Sequence, residues 1–331
     1  GTLNCSSLSR VLVEWPVFDT LHTVEMMHEL TRLWMLAGGG NLSLASALYT
    51  EAISLLKDKA LSGSGDPVDV EGVSATSSMV EYVTRAEQVS NYLQLVGQKV
   101  PALEIALEAI EICDKHAPVL ADTALLGTLC ATATGGIADA WSSVSRKTHS
   151  EAVRLGERAV KIFAPLGRQY DELRGKALGY VAWATVKQED YDRGVSLYAE
   201  ALDTLRAAHV TGETLADCVE NSGHLYRRLG QYSECLERYR ESLRVRTSAF
   251  GPDHVRTACS YKNVAMGLKY AYKHQATREE QLAMLTEAVE CITRACKIRD
   301  EGMGKNRTRA HVDNDMRDGY IAMLEREKAR G

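Results

Sequence analysis

The chain has 331 residues, 45% apolar and 25% charged, a balance that fits two average globular domains or one elongated one. Its 39 Ala against 9 Ile, with only 6 Pro and 3 Phe, favour helix and argue against a sandwich, a barrel or a disordered tail. A net charge of −5 without any long block of Lys or Arg does not imply a nucleic-acid partner, and its uneven placement, −8 over residues 1–150 and +3 over the rest, suits protein docking surfaces better.

From the start, Val17, Leu21, Val24 and His28 fall on one helical stripe and predict a leading helix that a first hairpin continues. The longest uncharged run, Leu33 to Thr50, has Gly38-Gly39-Gly40-Asn41 at its centre, so it reads as helix–turn–helix and not as a membrane span. Ser62 to Ser78, opening Ser62-Gly63-Ser64-Gly65-Asp66-Pro67, predicts a long flexible loop.

One phrase recurs along the chain: Glu51-Ala52-Ile53, Glu108-Ala109-Ile110, Arg158-Ala159-Val160, Glu200-Ala201-Leu202, Glu241-Ser242-Leu243 and Glu287-Ala288-Val289. Seven residues before each central small residue stand Ala45, Ala102, Ala152, Gly194 and Cys235, and only the last copy departs, with Gln281. Seven residues are two helical turns, so both small side chains face one neighbour and let two helices approach closely. A larger group lies three residues before the second small one in four copies: Tyr49, Tyr198, Tyr239 and Leu285.

Each such helix is preceded by another. Thr148-x-x-Glu151 has the form of a capping box opening one second helix. Asp217–Leu229 and Ser260–Tyr272 are the clearest first helices, with Val219, Gly223, Tyr226 and Tyr261, Ala265, Leu268 at helical spacing. Gln188-Glu189-Asp190-Tyr191 and Gly230-Gln231-Tyr232 read as the intervening turns, and the turn around His274–Glu279 is about four residues longer. Gly302–Arg309 reads as a loop, and Val312, Met316, Tyr320, Met323 and Leu324 form the single apolar stripe of a capping helix. The unit is a helical hairpin repeated about six times.

The stretch Asn221-Ser222-Gly223-His224-Leu225-Tyr226, then Leu229-Gly230-Gln231-Tyr232, Glu237-Arg238-Tyr239, Glu241-Ser242-Leu243 and Ala249-Phe250-Gly251-Pro252-Asp253-His254 resembles the tetratricopeptide repeat family, in the longer-repeat variety of kinesin light chains. Asn263-Val264-Ala265 follows 42 residues after Asn221, as that resemblance requires. It is specific for roughly residues 175–300 and weaker before them. It implies an all-α, right-handed α-solenoid of about six such hairpins with a C-terminal capping helix. The organisation expected is a leading helix and first hairpin over 1–61, a flexible loop over 62–78, a continuous solenoid over 79–308 and the cap over 309–331.

Chemistry finds little purchase. Gly302-Met303-Gly304-Lys305 fails the phosphate-loop pattern at Arg299 and Asn306, so it reads as a basic loop. Cys113 with His116, and Cys291 with Cys296, lack the four converging ligands of a zinc site. The eight cysteines, Cys5, Cys113, Cys130, Cys218, Cys235, Cys259, Cys291 and Cys296, contain no C-x-x-C pair and read as reduced thiols of an intracellular compartment. That compartment is expected to be the cytoplasm, or an organelle if a transit peptide preceded Gly1. Neither a catalytic residue, a metal nor a cofactor is expected, and an unrecognised enzyme is only a remote alternative.

Binding residues are easier to nominate. In a superhelix of hairpins the first helices line the concave face, and side chains pointing off their packing stripe are free for a partner. These are Tyr180, Trp183 and Lys187, then Asp217, Asn221, His224, Arg227 and Arg228, then Asn263, Met266, Lys269 and Tyr270. Asn221 and Asn263 could hold an extended backbone by paired donor and acceptor, or bond within the solenoid; the cations favour an acidic segment, or are simply solvated. Two functions follow: a fixed scaffold subunit holding neighbours in a larger assembly, or an adaptor reading short segments in its groove. Neither requires nucleic acid or a membrane span, and peripheral attachment would come through partners.

Overall fold

The structure, a computed structural model, describes residues 53–54, 57–58, 80, 82–90, 99–116, 123–139, 146–302 and 307–330. Every regular element among them is helical and none is a strand, as the excess of Ala over β-branched bulk predicts. The leading helix expected around Val17–His28, the Gly38–Asn41 turn and the 62–78 loop lie outside the described residues. The chain divides into two compact units, Gly1–Gly167 and Arg168–Gly331.

In the first unit a helix over 82–90 precedes α1 (Lys99–His116), α2 (Ala124–Asp139) and α3 (Arg146–Phe163). The paired small residues fall where the spacing puts them: Ala102 and Ala109 on α1, Ala152 and Ala159 on α3, all fully buried. α2 packs on both neighbours and is apolar almost all round, burying Leu126, Leu129, Cys130, Ala133 and Ile137. Gly127 permits the approach to α3, since a Cβ there would stand 3.0 Å from Ile162 and Phe163. Ser90 Oγ donates to the buried Ala102 carbonyl (2.7 Å), and Arg158 of α3 reaches both oxygens of Asp114 on α1 (2.9 and 2.6 Å). The capping box expected at Thr148 is corrected. α3 is already helical from Arg146, so Thr148 sits inside its first turn, and Glu151 accepts from Arg154 (2.9 Å) instead of reaching back.

The second unit holds α4 (Asp171–Lys187), α5 (Tyr191–Ala207), α6 (Glu213–Arg228), α7 (Tyr232–Phe250), α8 (Val255–Ala271), α9 (Arg278–Gly302) and α10 (Arg307–Ala329). They pack as the hairpins α4/α5, α6/α7 and α8/α9, and α6 also lies on α5 as α8 does on α7. Gly230 closes α6 with φ +73°, and Glu189 takes the same left-handed conformation, φ +68°, after α4. Asp190 Oδ1 then accepts from the Arg193 N–H (3.3 Å) to cap α5. α6 and α8 begin at Glu213 and Val255, earlier than Asp217 and Ser260, because Gly212 and His254 supply starts that apolar periodicity does not register.

Packing in this unit follows the small-large-small rule. Tyr239 is fully buried, and a Cβ on Gly223 of α6 or Gly267 of α8 would meet its ring at 2.8 and 3.0 Å. Gly194 of α5 does the same for Val186 of α4, at 2.6 Å. The departing last repeat compensates with polar bonds. Thr277 and Glu280 form a reciprocal capping box (3.2 and 3.1 Å) at the start of α9, and Gln281 Nε2 donates to the Gln275 carbonyl (3.2 Å) in the longer turn. α10 buries Tyr320 and Leu324 beside half-buried Met316 and Met323, and its Asp313, 1% exposed, pairs with Arg299 of α9. The loop expected over Gly302–Arg309 is shorter than read: α9 reaches Gly302 and α10 starts at Arg307. The architecture is the all-α, solenoid-type stack of helical hairpins closed by a capping helix.

Candidate functional site

The nominated residues lie on the first helices of the second unit, α4, α6 and α8. Their burial divides them. Trp183 and Asn263 are each only 6% exposed, so they offer a partner little surface. Tyr180, Lys187, Asn221, His224, Arg227, Met266 and Lys269 are half-buried, and Arg228 is exposed. Met266 also packs on the core cluster around Tyr239.

Three of the nominees, Tyr180, Asp217 and Asn221, share a recess. Tyr180 of α4 and Asn221 of α6 line a cleft of about 270 Å³ with Lys176, Glu213, Thr214, Asp217 and Arg256. Sequence reading missed Lys176, Thr214 and Arg256, because the cleft joins three helices that no single periodicity connects. Lys176 Nζ stands 5.8 Å from the Tyr180 ring centroid. Asp217, expected to be free for a partner, is not: it pairs with Arg246 of α7, a side chain 4% exposed. Arg246 also pairs with Glu220, approaches Glu213 at 3.6 Å and donates to Ser260 Oγ at 2.7 Å. Burial works against its charge, and the three carboxylates more than offset that penalty. The signal was present, since Cys235, Tyr239, Ser242 and Arg246 follow one stripe and Glu213, Asp217 and Glu220 another.

Next along the face is an aromatic relay. His224 Nδ1 shares a 2.6 Å hydrogen bond with the Tyr239 hydroxyl, and its ring lies 6.3 Å from that of Trp183. Burial lowers the His224 pKa to about 4, which keeps the imidazole neutral at neutral pH. Lys187 Nζ sits 4.8 Å from the Trp183 centroid.

The end of the face is cationic. Arg227, Arg228 and Lys269 stand in the last turns of α6 and α8, where the helix dipole favours positive charge. Arg227 and Lys269 both lie against Tyr270, at 5.6 and 5.0 Å, and Tyr232 stacks on that ring at 5.5 Å. Among the described residues no carboxylate pairs with any of these three cations, whereas Arg206, Arg238, Arg240, Arg246 and Arg294 each have one. Such a group is equipped to meet anionic side chains.

The thiols are packing groups. Burial raises Cys113, Cys235 and Cys291 to about 11 and Cys130 and Cys218 to about 12, so all five stay protonated at neutral pH. Among the described residues no three His, Cys, Asp or Glu side chains are placed to hold a metal, and no helix is long and apolar enough to cross a membrane.

Residues 215–301 match the model of the tetratricopeptide repeat. No curated protein matches the chain. Solved structures do, at the level of fold. The chain is similar to BtubC (BKLC) from P. vanneervenii at 17% identity, covering 80% of this chain and 92% of that one with a TM-score of 0.53. It is similar to a Signal Transduction ATPase with Numerous Domains protein with a tetratricopeptide repeat sensor from Pyrococcus horikoshii: 14% identity, 98% and 46% covered, TM-score 0.52. It is likewise similar to a Rap protein solved in complex with Competence and Sporulation Factor: 12% identity, 97% and 81% covered, TM-score 0.51. The resemblance carried by Asn221–His254 is thereby borne out: the stretch over residues 215–301 is tetratricopeptide repeat, a fold whose general work is binding other proteins.

Proposed function

We propose that this chain is a non-enzymatic scaffold, a subunit that holds neighbouring proteins within a larger assembly through the first-helix face of α4, α6 and α8. The observation that carries the reading is the group Arg227, Arg228 and Lys269, of which Arg227 and Lys269 rest on Tyr270, and all three of which are left without carboxylate partners among the described residues. Cations that only kept the chain in solution would not need aromatic supports. The Rap protein of similar fold, solved in complex with Competence and Sporulation Factor, is in keeping with a binding role. The partner surface expected is acidic and carries aromatic or apolar side chains beside its carboxylates, to meet Tyr180 and the exposed edge of this face.

A second reading is favoured by the cleft at Tyr180 and Asn221: an adaptor that takes short linear segments in the groove. The two are separated by native size-exclusion of the extract and by titration. A fixed subunit co-migrates with partners at constant stoichiometry. An adaptor elutes alone and binds an acidic peptide with an affinity that falls as salt rises. Asn221→Ala combined with Arg227→Glu should weaken either association, and unchanged affinity would sink the assignment of this face.

A further inference from the structure

A second recess, of about 370 Å³, lies on other side chains: Ser233, Leu236, Glu237, Arg240 and Arg244 of α7, Met284 of α9, and Ala271 and Gln275 at the turn between α8 and α9. The departures of the last repeat account for it. Where α5 and α7 carry buried Gly194 and Cys235, α9 carries half-buried Gln281, which adds volume where the other second helices let two backbones meet. Gln281 holds the Gln275 carbonyl, and Gln275 Nε2 donates to the Ala271 carbonyl (3.4 Å), so the longer turn stands as one wall. Leu236, Ala271 and Met284 give an apolar floor, and the thioether can adapt to what enters.

The rim is charged in a defined order. Ser233, Glu237, Arg240 and Arg244 form one stripe of α7 at helical spacing. Arg240 is engaged by both oxygens of Glu287 on α9 (2.8 and 2.7 Å). Among the described residues neither Glu237 nor Arg244 has an ion-pair partner, and both are exposed. Two helical turns separate them, about 10 Å along α7, with the apolar floor between.

We propose that this recess docks an extended segment of a partner protein. One side chain of leucine size enters the floor, a Lys or Arg two residues to one side meets Glu237, and an Asp or Glu two residues to the other meets Arg244. Residues at those positions share one face of an extended chain about 13 Å apart, which long side chains bring into register with the 10 Å between the two rim charges. The site is independent of the first-helix face.

The test uses the full chain with methyl-labelled methionines, in which Met284→Leu assigns the reporter resonance, and the acetylated, amidated pentapeptide Lys-Ala-Leu-Ala-Glu as probe. The expected result is a saturable shift of the Met284 methyl, weakened about tenfold by Arg244→Glu and unchanged by Arg228→Glu on the other face. Asn in place of the probe's Leu should abolish it, and Lys in place of its Glu should weaken it as Arg244→Glu does. No saturable shift, a shift indifferent to Arg244→Glu, or equal binding of the Lys-ended peptide would overturn the proposal. A Met284 shift that grows with protein concentration without peptide would mark a second copy as occupant and overturn it as well.

Discussion

The hairpins α6/α7 and α8/α9 obey one packing rule and fill it with different chemistry. At equivalent positions α6 has Gly223 and His224 where α8 has Ala265 and Met266, and α7 has Cys235, Tyr239 and Arg246 where α9 has Gln281, Leu285 and Ile292. The first hairpin is joined by a partly buried hydroxyl–imidazole bond and a buried guanidinium among carboxylates. The second buries Leu285 and Ile292 at the same places and uses its polar groups at the turn. The repeat therefore specifies sizes and spacing along the stripe, while polarity can change from copy to copy if every polar group brings a partner.

Removing the large residue should hurt most. Tyr239→Ala empties a fully buried site against Gly223 and Gly267 and is expected to lower stability by about 4 kcal/mol in denaturant titration. Arg246→Met comes next, at about 3 kcal/mol, because it strands the Glu220 and Asp217 carboxylates; adding Glu220→Gln should return part of the loss. Gly223→Ala sets a Cβ 2.8 Å from the Tyr239 ring and should cost about 2 kcal/mol. Paired with Tyr239→Leu it reproduces the Ala265 and Leu285 combination of the next hairpin, so the double variant should lose less than the two single variants together. Strict additivity would break the idea that the two hairpins are alternative fillings of one rule.

At neutral pH a further difference is silent and shows only in pH dependence; it belongs to α6/α7 alone because Met266 cannot titrate. Burial holds the folded His224 pKa at about 4 against its ordinary value of 6.5. The folded state thus binds fewer protons than the unfolded one between these values. Its contribution is fully present above pH 6.5 and is lost as pH falls toward 4, with a slope of up to about 1.4 kcal/mol per pH unit. His224→Gln should flatten that part of the stability profile, and an unchanged slope would contradict the assignment to His224.

Much of this is legible in the amino-acid sequence. The paired small residues mark second helices wherever the chain is described, because close helix approach leaves so few side chains admissible. The first helices of the front half were less legible: α2 buries residues nearly all round and so has no single stripe to read. At the site, Arg227 and Lys269 meet at Tyr270 and Arg228 is exposed, whereas Trp183 and Asn263 are covered and Asp217 is engaged by Arg246. A helical wheel tells which side chains leave their own hairpin, but not which ones the next hairpin then covers. The recess at Met284 was visible only as two irregularities, Gln281 and a long turn, whose joint consequence needs their distance in space.

The central claim is that other proteins are held by the cationic end of the first-helix face. Its most direct test is the native mass of the wild-type chain beside that of the Arg228→Glu/Lys269→Glu variant, both purified under mild conditions. The account predicts that the wild type elutes with partners at a mass well above its own and that the variant, equally stable to heat, elutes alone. A variant that keeps the same partners in the same proportion would contradict it.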